Sequence, residues 1–362
     1  MTDTTAPGMR ALTWLEAYRM RWKRRRLLWR SFRSRHQLTE VVNRTRTIAQ
    51  SDILVVLVVR NEAGRIPYFL EYYRKLGAGH FLVVDNNSDD GSDQLFAGQP
   101  DVSLWRTSDS YRASRFGLDW MTWLQIRYAD GHWCLMVDVD ELMVFPVGDG
   151  DTLQELSANL EACNRNAYGA VLLDLYPQGS LGMQTYVPGQ DPTDVLTGFD
   201  AGPFRAKRQY PLGNLWVQGG ARERVFFADD PARSPTLNKL PLVKWSRRYA
   251  YVNSTHSMLP PQLNGTYDGP AGREPGGVLL HTKFLPEIVS KSEIEKQRQQ
   301  HFHTPADFDG YYDRITQAPD MSFDGSLRYT GPQQLEKLGL LRPVHRPKSD
   351  ESRQIDEKKP EL

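Results

Sequence analysis

Only two cysteines, Cys134 and Cys163, occur in the 362 residues. That count excludes a disulfide framework and a C-x-x-C metal site. Cys134 lies inside an apolar run and reads as a small core residue, and a reducing compartment fits. No G-x-x-x-x-G-K-[ST] occurs, which removes the P-loop proteins. G-x-G-x-x-G is missing after both early apolar runs, so the dinucleotide-binding fingerprint is absent as well. No internal repeat is evident, which sets solenoids aside. The N-terminal segment holds no apolar stretch near the roughly 18 residues that a bilayer span needs. It also lacks the uninterrupted apolar core of a secretory signal. Between Ala11 and Thr47 there is neither proline nor glycine, so one long helix is allowed there.

What is present supports a sizeable core: 40% of residues are hydrophobic and 11% aromatic, enough for one large α/β domain with appendages or for two domains. The net charge of +1 hides an asymmetry. Residues 1–50 hold 12 Lys and Arg against 3 Asp and Glu, and the remainder holds 33 against 41. Arg and Lys crowd positions 19–35, with Trp14, Tyr18, Trp22, Leu27, Leu28, Trp29 and Phe32 among and before them. One reading is an interfacial helix over residues 10–35, with Trp and Leu at the headgroup boundary of an anionic membrane surface. That places the protein in the cytoplasm, peripheral on the inner face of the membrane. A second reading is a solvated helix packed on the main domain. Nucleic-acid binding ranks last, because charge patterning by itself discriminates weakly.

The run Ile53–Val59 is continuous and β-branched, as expected of a strand buried on both faces. It stops at Arg60-Asn61-Glu62-Ala63-Gly64. Ile66, Phe69, Leu70, Tyr73 and Leu76 then recur at helical spacing, ended by Gly77-Ala78-Gly79. A second apolar run, residues 81–84, gives way to Asp85-Asn86-Asn87-Ser88-Asp89-Asp90-Gly91-Ser92. Both strands of this β-α-β unit discharge polar residues at their C-terminal ends, where open α/β sheets bind ligands. A third run, residues 133–137, leads into Asp138-Val139-Asp140-Glu141. Two carboxylates one residue apart beside a buried strand repel each other and cost several kcal/mol unless a positive group pairs with them. A hard divalent cation carrying a diphosphate suits such oxygen ligands. The alternative is a strand edge with two solvated acids.

Strand, Asn61-Glu62, helix, strand, the acidic Asp85–Ser92 turn and then Asp138-x-Asp140 resemble, in that order, the signatures of GT-A glycosyltransferases, specifically the glycosyltransferase family 2-like group. The resemblance covers roughly residues 50–290. Asn86-Asn87 stand where Asp-Gly is frequent, and a helix carrying residues 110–117 matches the family's Ala-Arg-rich segment loosely. The resemblance implies a mostly parallel, Rossmann-like sheet flanked by helices. It implies transfer of a sugar from a nucleotide-sugar donor to a glycan or other hydroxyl acceptor, with inversion, possible in the making of cell-surface glycans or polysaccharides. Asp138 and Asp140 would hold Mn2+ or Mg2+, with His281 as third ligand and His256 as its fallback. Asn61, Glu62, Asp85, Asn86, Arg115 and Asp138 would line the donor. Glu223 is the implied base, with Asp174 its competitor. A non-catalytic nucleotide-sugar or glycan-binding protein with a decayed site is the alternative from another class. A nucleotidyltransferase is the rival enzyme, although Arg60–Arg65 is a poor version of the Gly-rich basic loop it would need.

The rest of the chain is read as follows. Residues 1–50 form a basic amphipathic helical segment, 51–290 the glycosyltransferase domain, 291–346 a helical extension and 347–362 a disordered tail. Residues 152–163 read as an amphipathic helix and 170–176 as a strand. Residues 177–211 show no period, as in an acceptor-binding loop or a tolerated surface insertion. In Gly219-Gly220-Ala221-Arg222-Glu223-Arg224, the glycines allow a close backbone approach. Arg222 and Arg224 offer forked donors to phosphate, and in a strand Glu223 would point away from both. Residues 239–245 read as a turn into a strand. His301-Phe302-His303 lies in a charged tail and is no site.

Overall fold

The computed structural model describes residues 10–298 and 309–344. The His301-Phe302-His303 triplet and the tail from residue 347 lie outside those residues. In chain order, α1 (Trp14–Ser34) leads to β1 (Thr39–Val42), β2 (Ile53–Val59), α2 (Ile66–Lys75), β3 (Ala78–Asp85), α3 (Ser92–Ala97) and β4 (Val102–Arg106). Then come α4 (Leu118–Tyr128), β5 (Trp133–Met136), β6 (Glu141–Val144), α5 (Leu153–Ala162) and β7 (Ala167–Tyr176). A two-residue strand β8 (Gly198–Phe199) precedes the hairpin of β9 (Phe204–Gln209) and β10 (Asn214–Gly219), followed by α6 (Gly220–Phe226) and β11 (Asn238–Lys244). The pair β12 (Ala250–Tyr251) and β13 (Met258–Leu259) comes before β14 (Gly276–His281). Last are α7 (Ile288–Arg298), α8 (Asp309–Thr316), β15 (Leu327–Arg328) and α9 (Pro332–Lys337).

The main sheet runs β1-β4-β3-β2-β5-β11-β7-β14-β6, with β8 and β15 attached beyond β7. Pairing is parallel for β4 with β3, β3 with β2, β2 with β5, and β7 with β14. It is antiparallel for β5 with β11 and for β11 with β7. Hence β4, β3, β2, β5, β7 and β14 all point one way, and β1, β11 and β6 run against them. The expected α/β fold with a mostly parallel central sheet is present. β2 is buried nearly throughout because helices cover both of its faces, as its β-branched run foretold. The helix after the third apolar run also forms as read: Thr152 caps α5 and Glu155 completes the capping box.

The N-terminal segment is not one helix. α1 starts at a Thr13–Glu16 capping box and ends at Ser34. The β-branched Thr39 and Val42 then belong to β1, which extends the sheet edge at β4. The Arg44 guanidinium donates to the carbonyls of Val102 and Ala97 and fastens this segment. α1 itself lies on the domain. Its Leu27 packs with Leu212, Ala250, Val252 and Leu259. Arg30 donates to Asp119 at 3.0 Å and to the Ala113 carbonyl at 2.9 Å. α4 is thereby covered by the sheet on one side and by α1 on the other, which is why it buries residues all round, Thr122 and Gln125 included.

The extension after β14 folds back on the same core. Tyr311, Ile315, Met321, Leu335, Leu340 and Leu341 are buried in the main cluster. Residues 177–211 also have structure, since Leu181, Leu196 and Phe199 are buried and β8 pairs with β7.

Three local readings are corrected. Residues 110–117 are a turn rather than a helix; α4 begins only at Leu118, after Arg115 and Phe116 take φ of 58° and 59°. Gly117 follows at φ 76°, and a Cβ there would stand 2.6 Å from Val58 Cγ2, so the turn seats tightly on β2. Gly219 and Gly220 open a helix, not a strand. A Cβ on Gly219 would come within 2.1 Å of the Pro203 carbonyl, and its φ of 132° suits glycine alone. Lys239 lies inside β11 and is buried, not in a turn.

Candidate active site

The site is assembled at the ends of the aligned strands. The loops after β2 and β3 are latched together by side chains. Asn61 sits at φ 52°, a left-handed conformation that Asn tolerates. Its carboxamide donates to Asp89 and accepts from the Asp89 amide at 3.0 Å. The Glu62 amide donates to Ser92 Oγ at 2.9 Å, and the Ala63 amide donates to Asp90 at 2.9 Å. The Asp- and Ser-rich turn thus holds the neighbouring loop in place through hydrogen bonds to backbone amides.

Asp138 and Asp140 lie in the short turn that joins β5 to β6. β6 does not pair with β5 but crosses to the far edge of the sheet, beside β14. In register, His281 of β14 stands opposite Asp174 of β7 and opposite Glu141 of β6. Three strands therefore deliver Asp174, His281 and Glu141 as one row, with Asp140 next in the chain. His281 Nε2 is 3.3 Å from Asp140 Oδ2, and its Nδ1 is 2.6 Å from Asp174 Oδ1. A carboxylate only accepts, so the Nδ1 proton is assigned to the bond with Asp174. Asp174 also accepts from the Arg222 guanidinium of α6. Thr282 donates its amide (2.7 Å) and its hydroxyl (3.0 Å) to the Asp140 carbonyl, which ties the turn to β14.

Charge is concentrated here. Burial alone would raise the Asp140 carboxyl, yet His281, Arg65 and Lys283 hold it well below the usual carboxylate range. Burial likewise opposes ionisation of Asp174, and Arg222 with His281 overcomes it. Burial also works against an imidazolium at His281, but the two carboxylates on its nitrogens raise its pKa. Glu141 is 2% exposed and meets Lys239 Nζ at 2.8 Å. Burial pushes its carboxyl up against the pull of Lys239, and Asp138 and Asp140 add to the push. Asp138 is the exposed member, 54% open and 3.8 Å from Lys239.

The residues read from the sequence divide into two groups. Asp138, Asp140, Asp174, Arg222 and His281 come together. Glu62 stands at the rim, bridging Arg65 at 2.9 Å and Lys291 at 2.8 Å. Glu223 follows Arg222 on the same helix, but its two oxygens accept from Arg205 at 2.6 and 2.7 Å, and Ser234 donates to it at 2.7 Å. The structure does not bring it into contact with Asp140 or His281.

Four residues expected on the donor side are held by partners within the fold. Asp85 is fully buried, accepts from the Ser88 amide at 3.1 Å and lies 3.6 Å from the Arg106 guanidinium, so it holds its own turn. The Asn86 carboxamide donates to the Thr107 and Asp109 carbonyls. Arg115 grips Asp119 and the Tyr251 carbonyl under α1, a packing role. Arg224 forks onto Asp200 and lies 4.0 Å over the Phe323 ring, so it anchors the extension.

His256, the fallback ligand, bonds to β11 and has no hydrogen bond or ion pair to Asp138 or Asp140. Its Nδ1 donates to the Asn238 carbonyl at 2.5 Å, and burial and then Lys239 push its pKa from 6.5 down to about 3. The unfolded chain takes up this proton near pH 6.5 and the folded one only near 3. Stability present above pH 6.5 is thus lost as the pH falls between those values. Urea titrations are expected to show this loss, on the order of 2 kcal/mol by pH about 4.5. His256→Gln should flatten that stretch of the profile; an unchanged slope would place the pH sensitivity elsewhere.

Sequence reasoning missed Arg65, Lys239, Glu141 and Glu287. Arg65 is buried between Glu62 and Glu287, each 2.9 Å away. Glu141 was visible as the fourth residue of Asp-Val-Asp-Glu. Lys239 carried a weaker signal, a lone Lys beside an apolar run.

No family model matches the chain. Over 170 residues, 43% of the chain, it is 26% identical to a glycosyltransferase family 92 protein of Arabidopsis thaliana. Over 163 residues, 42% of the chain, it is 26% identical to a family 92 protein of Oryza sativa subsp. japonica. Those matches cover 28% and 26% of the two proteins, so the chain spans little more than a quarter of the curated relatives it matches. Among solved structures, a mannosyltransferase from Pyrobaculum calidifontis in complex with GDP-Man and Mn2+ is 22% identical, over 43% of this chain and 46% of that one, with a TM-score of 0.26. At that score no position is transferred from it. The chain is thus similar to proteins named as glycosyltransferases, and the family 2-like label has no counterpart among them.

Proposed function

We propose that this chain is a metal-dependent glycosyltransferase that moves a sugar from a nucleotide-sugar donor to a hydroxyl acceptor. The observation that carries the reading is the Asp140–His281–Asp174 row beside the exposed Asp138, at the ends of the aligned strands. Similarity to the two family 92 proteins supports the same class.

The donor set fits Mn2+ or Mg2+. The Asp140 carboxylate and His281 Nε2 face each other at 3.3 Å, and Asp138 is exposed enough to turn toward them. Among the described residues no three His, Cys, Asp or Glu side chains are already gathered for a metal, so the diphosphate would complete the shell. A bound cation would supply charge neutralisation for the departing nucleotide. Asp174 fixes the His281 ring and tautomer from the far side, as carboxylates do behind ligating imidazoles. Lys239 keeps Glu141 paired beneath the turn. Arg65 ties the loop after β2 to the end of β14 through Glu62 and the Thr282 carbonyl (3.3 Å).

An inverting reaction needs a carboxylate to take the acceptor proton. Both candidates are ion-paired, and burial separates them. Arg205 is 53% exposed, so its pair with Glu223 is worth no more than about 1 kcal/mol and yields readily to an acceptor. Releasing Asp174 would strand a buried guanidinium, at roughly 3–5 kcal/mol. Glu223 is therefore the proposed base. Glu223→Gln is expected to lower turnover about a hundredfold, with nucleotide affinity near wild type. Steady-state kinetics and calorimetry read the two quantities, and a variant that keeps most of its turnover removes Glu223 from the role. A panel of nucleotide-sugars assayed for turnover and thermal stabilisation, with and without Mn2+, tests the class itself. No response to any of them would overturn it.

A further inference from the structure

The face of α1 turned away from the domain is an aromatic stripe. Trp14, Tyr18, Trp22, Trp29 and Phe32 recur at steps of three, four and seven, which gathers them within about 80° of the helix circumference. They are 74, 42, 53, 60 and 38% exposed. Leu27, Ser31 and Ser34, the helix's buried residues, lie on the opposite side. Neighbouring rings stack, Trp14 on Tyr18 and Trp29 on Phe32, each at 5.5 Å. Exposed cations border the stripe. Arg19, Arg26 and Arg33 line one flank, Arg21 lies at the other edge, and Arg25 stands over Trp22. A helix of 21 residues spans roughly 30 Å, so the stripe is long and straight. Phe32, at the end of the stripe, meets Trp123 of α4 edge-to-face at 5.8 Å, and the other four rings are left out of the packing made by the opposite face.

From this surface we infer that α1 seats the protein on an anionic lipid bilayer, lying in the interface plane with its rings at the headgroup boundary. Two observations favour lipid as the occupant. Rings flanked by arginines match an apolar layer beneath an anionic one. A second copy of the chain would set this cationic helix against itself. The helix is also held rigid by Leu27, Arg30 and Ser31, so little order remains to be gained on docking. This inference stands apart from the proposed sugar transfer.

Deleting the segment is a poor test, because it would strip β1 from the sheet and expose the contacts of Leu27. Point substitutions in the full chain avoid both. Vesicles of phosphatidylcholine with about a third phosphatidylglycerol should carry the wild type in a flotation assay, and phosphatidylcholine alone should not. Trp14→Ala/Trp22→Ala/Trp29→Ala should weaken that binding at least about tenfold. Arg21→Gln/Arg25→Gln/Arg26→Gln should weaken it about a hundredfold. Melting temperature should hold in both variants, and binding should fall as salt shortens the screening length below about 8 Å. Brominated lipid should quench Trp emission in the wild type and markedly less in the Trp variant. Equal binding by wild type and both variants overturns the proposal. So does a concentration-dependent dimer, seen by sedimentation, that only the Trp variant loses, because the stripe would then belong to a second copy. Displacement by duplex DNA without any preference for anionic lipid overturns it as well.

Discussion

Asp140→Asn is expected to lower sugar transfer by about 10³-fold or more, because the lost charge weakens cation binding where diphosphate charge develops. The fold should survive. Asn has the same shape, and the contacts from Thr282 go to the Asp140 main-chain carbonyl, not to its side chain. Circular dichroism should therefore stay near wild type while turnover falls, and the melting temperature should drop only as far as His281, Arg65 and Lys283 lose a carboxylate partner. EDTA should impose a comparable loss on the wild type and little further loss on the variant. Full turnover of Asp140→Asn in EDTA would end the assignment of the Asp-x-Asp turn to a metal. Metal dependence that persists in the variant would move the ligand role to Asp138 and His281.

The second large effect concerns Asp174 and Arg222. Asp174 is 2% exposed at its side chain and Arg222 is 9% exposed. Removing one partner of such a pair leaves a buried charge uncompensated, which costs roughly 3–5 kcal/mol. Asp174→Asn and Arg222→Met should each be destabilised by about that amount in urea unfolding. The double variant should recover much of the loss, because the two penalties share one cause. Activity separates two roles for Asp174. As the group that positions His281, its loss should weaken Mn2+ affinity about 10–100-fold. As a base it would leave metal affinity alone while turnover collapsed, the stability loss being common to both roles. That second pattern would refute the positioning role and displace Glu223.

Much of this was legible in the chain. The β-branched run of β2 and the helical spacing of Ile66, Phe69, Leu70 and Tyr73 reflect local periodicity, and both elements form where the pattern puts them. The helical spacing of Leu153, Leu156 and Leu160 announced α5 in the same way, and the structure adds the Thr152–Glu155 capping box. Residues 110–117 misled because Arg115 and Phe116 take left-handed backbone conformations imposed by contact with β2 and α1. The Gly219-Gly220 pair misled for a related reason. It reads as the approach to a strand, while the close approach of Pro203, just before the opposite strand of the hairpin, leaves room for glycine alone where the helix opens. Arg115, Arg224 and Asp85 had the right chemistry for a donor site, but their partners, Tyr251, Asp200 and the Ser88 amide, are fixed by packing.

Sequence by itself determined the alternation of strands and helices, the polar ends of β2 and β3, the paired acids after β5, and the basic aromatic segment that became α1. Each follows from side-chain period, charge or composition within a few residues. Tertiary structure decided which charges meet. Asp140, Asp174, Arg222 and His281 come from four separate elements, and their contact depends on β6 crossing to the far side of β14 and on the register of β7 with β14. Neither is written in local pattern, because strand order is set by how the whole sheet closes over its core. The same holds for α1. Its sequence offered two faces, and only the packing of Leu27, Arg30 and Ser31 on the domain decided which one faces outward.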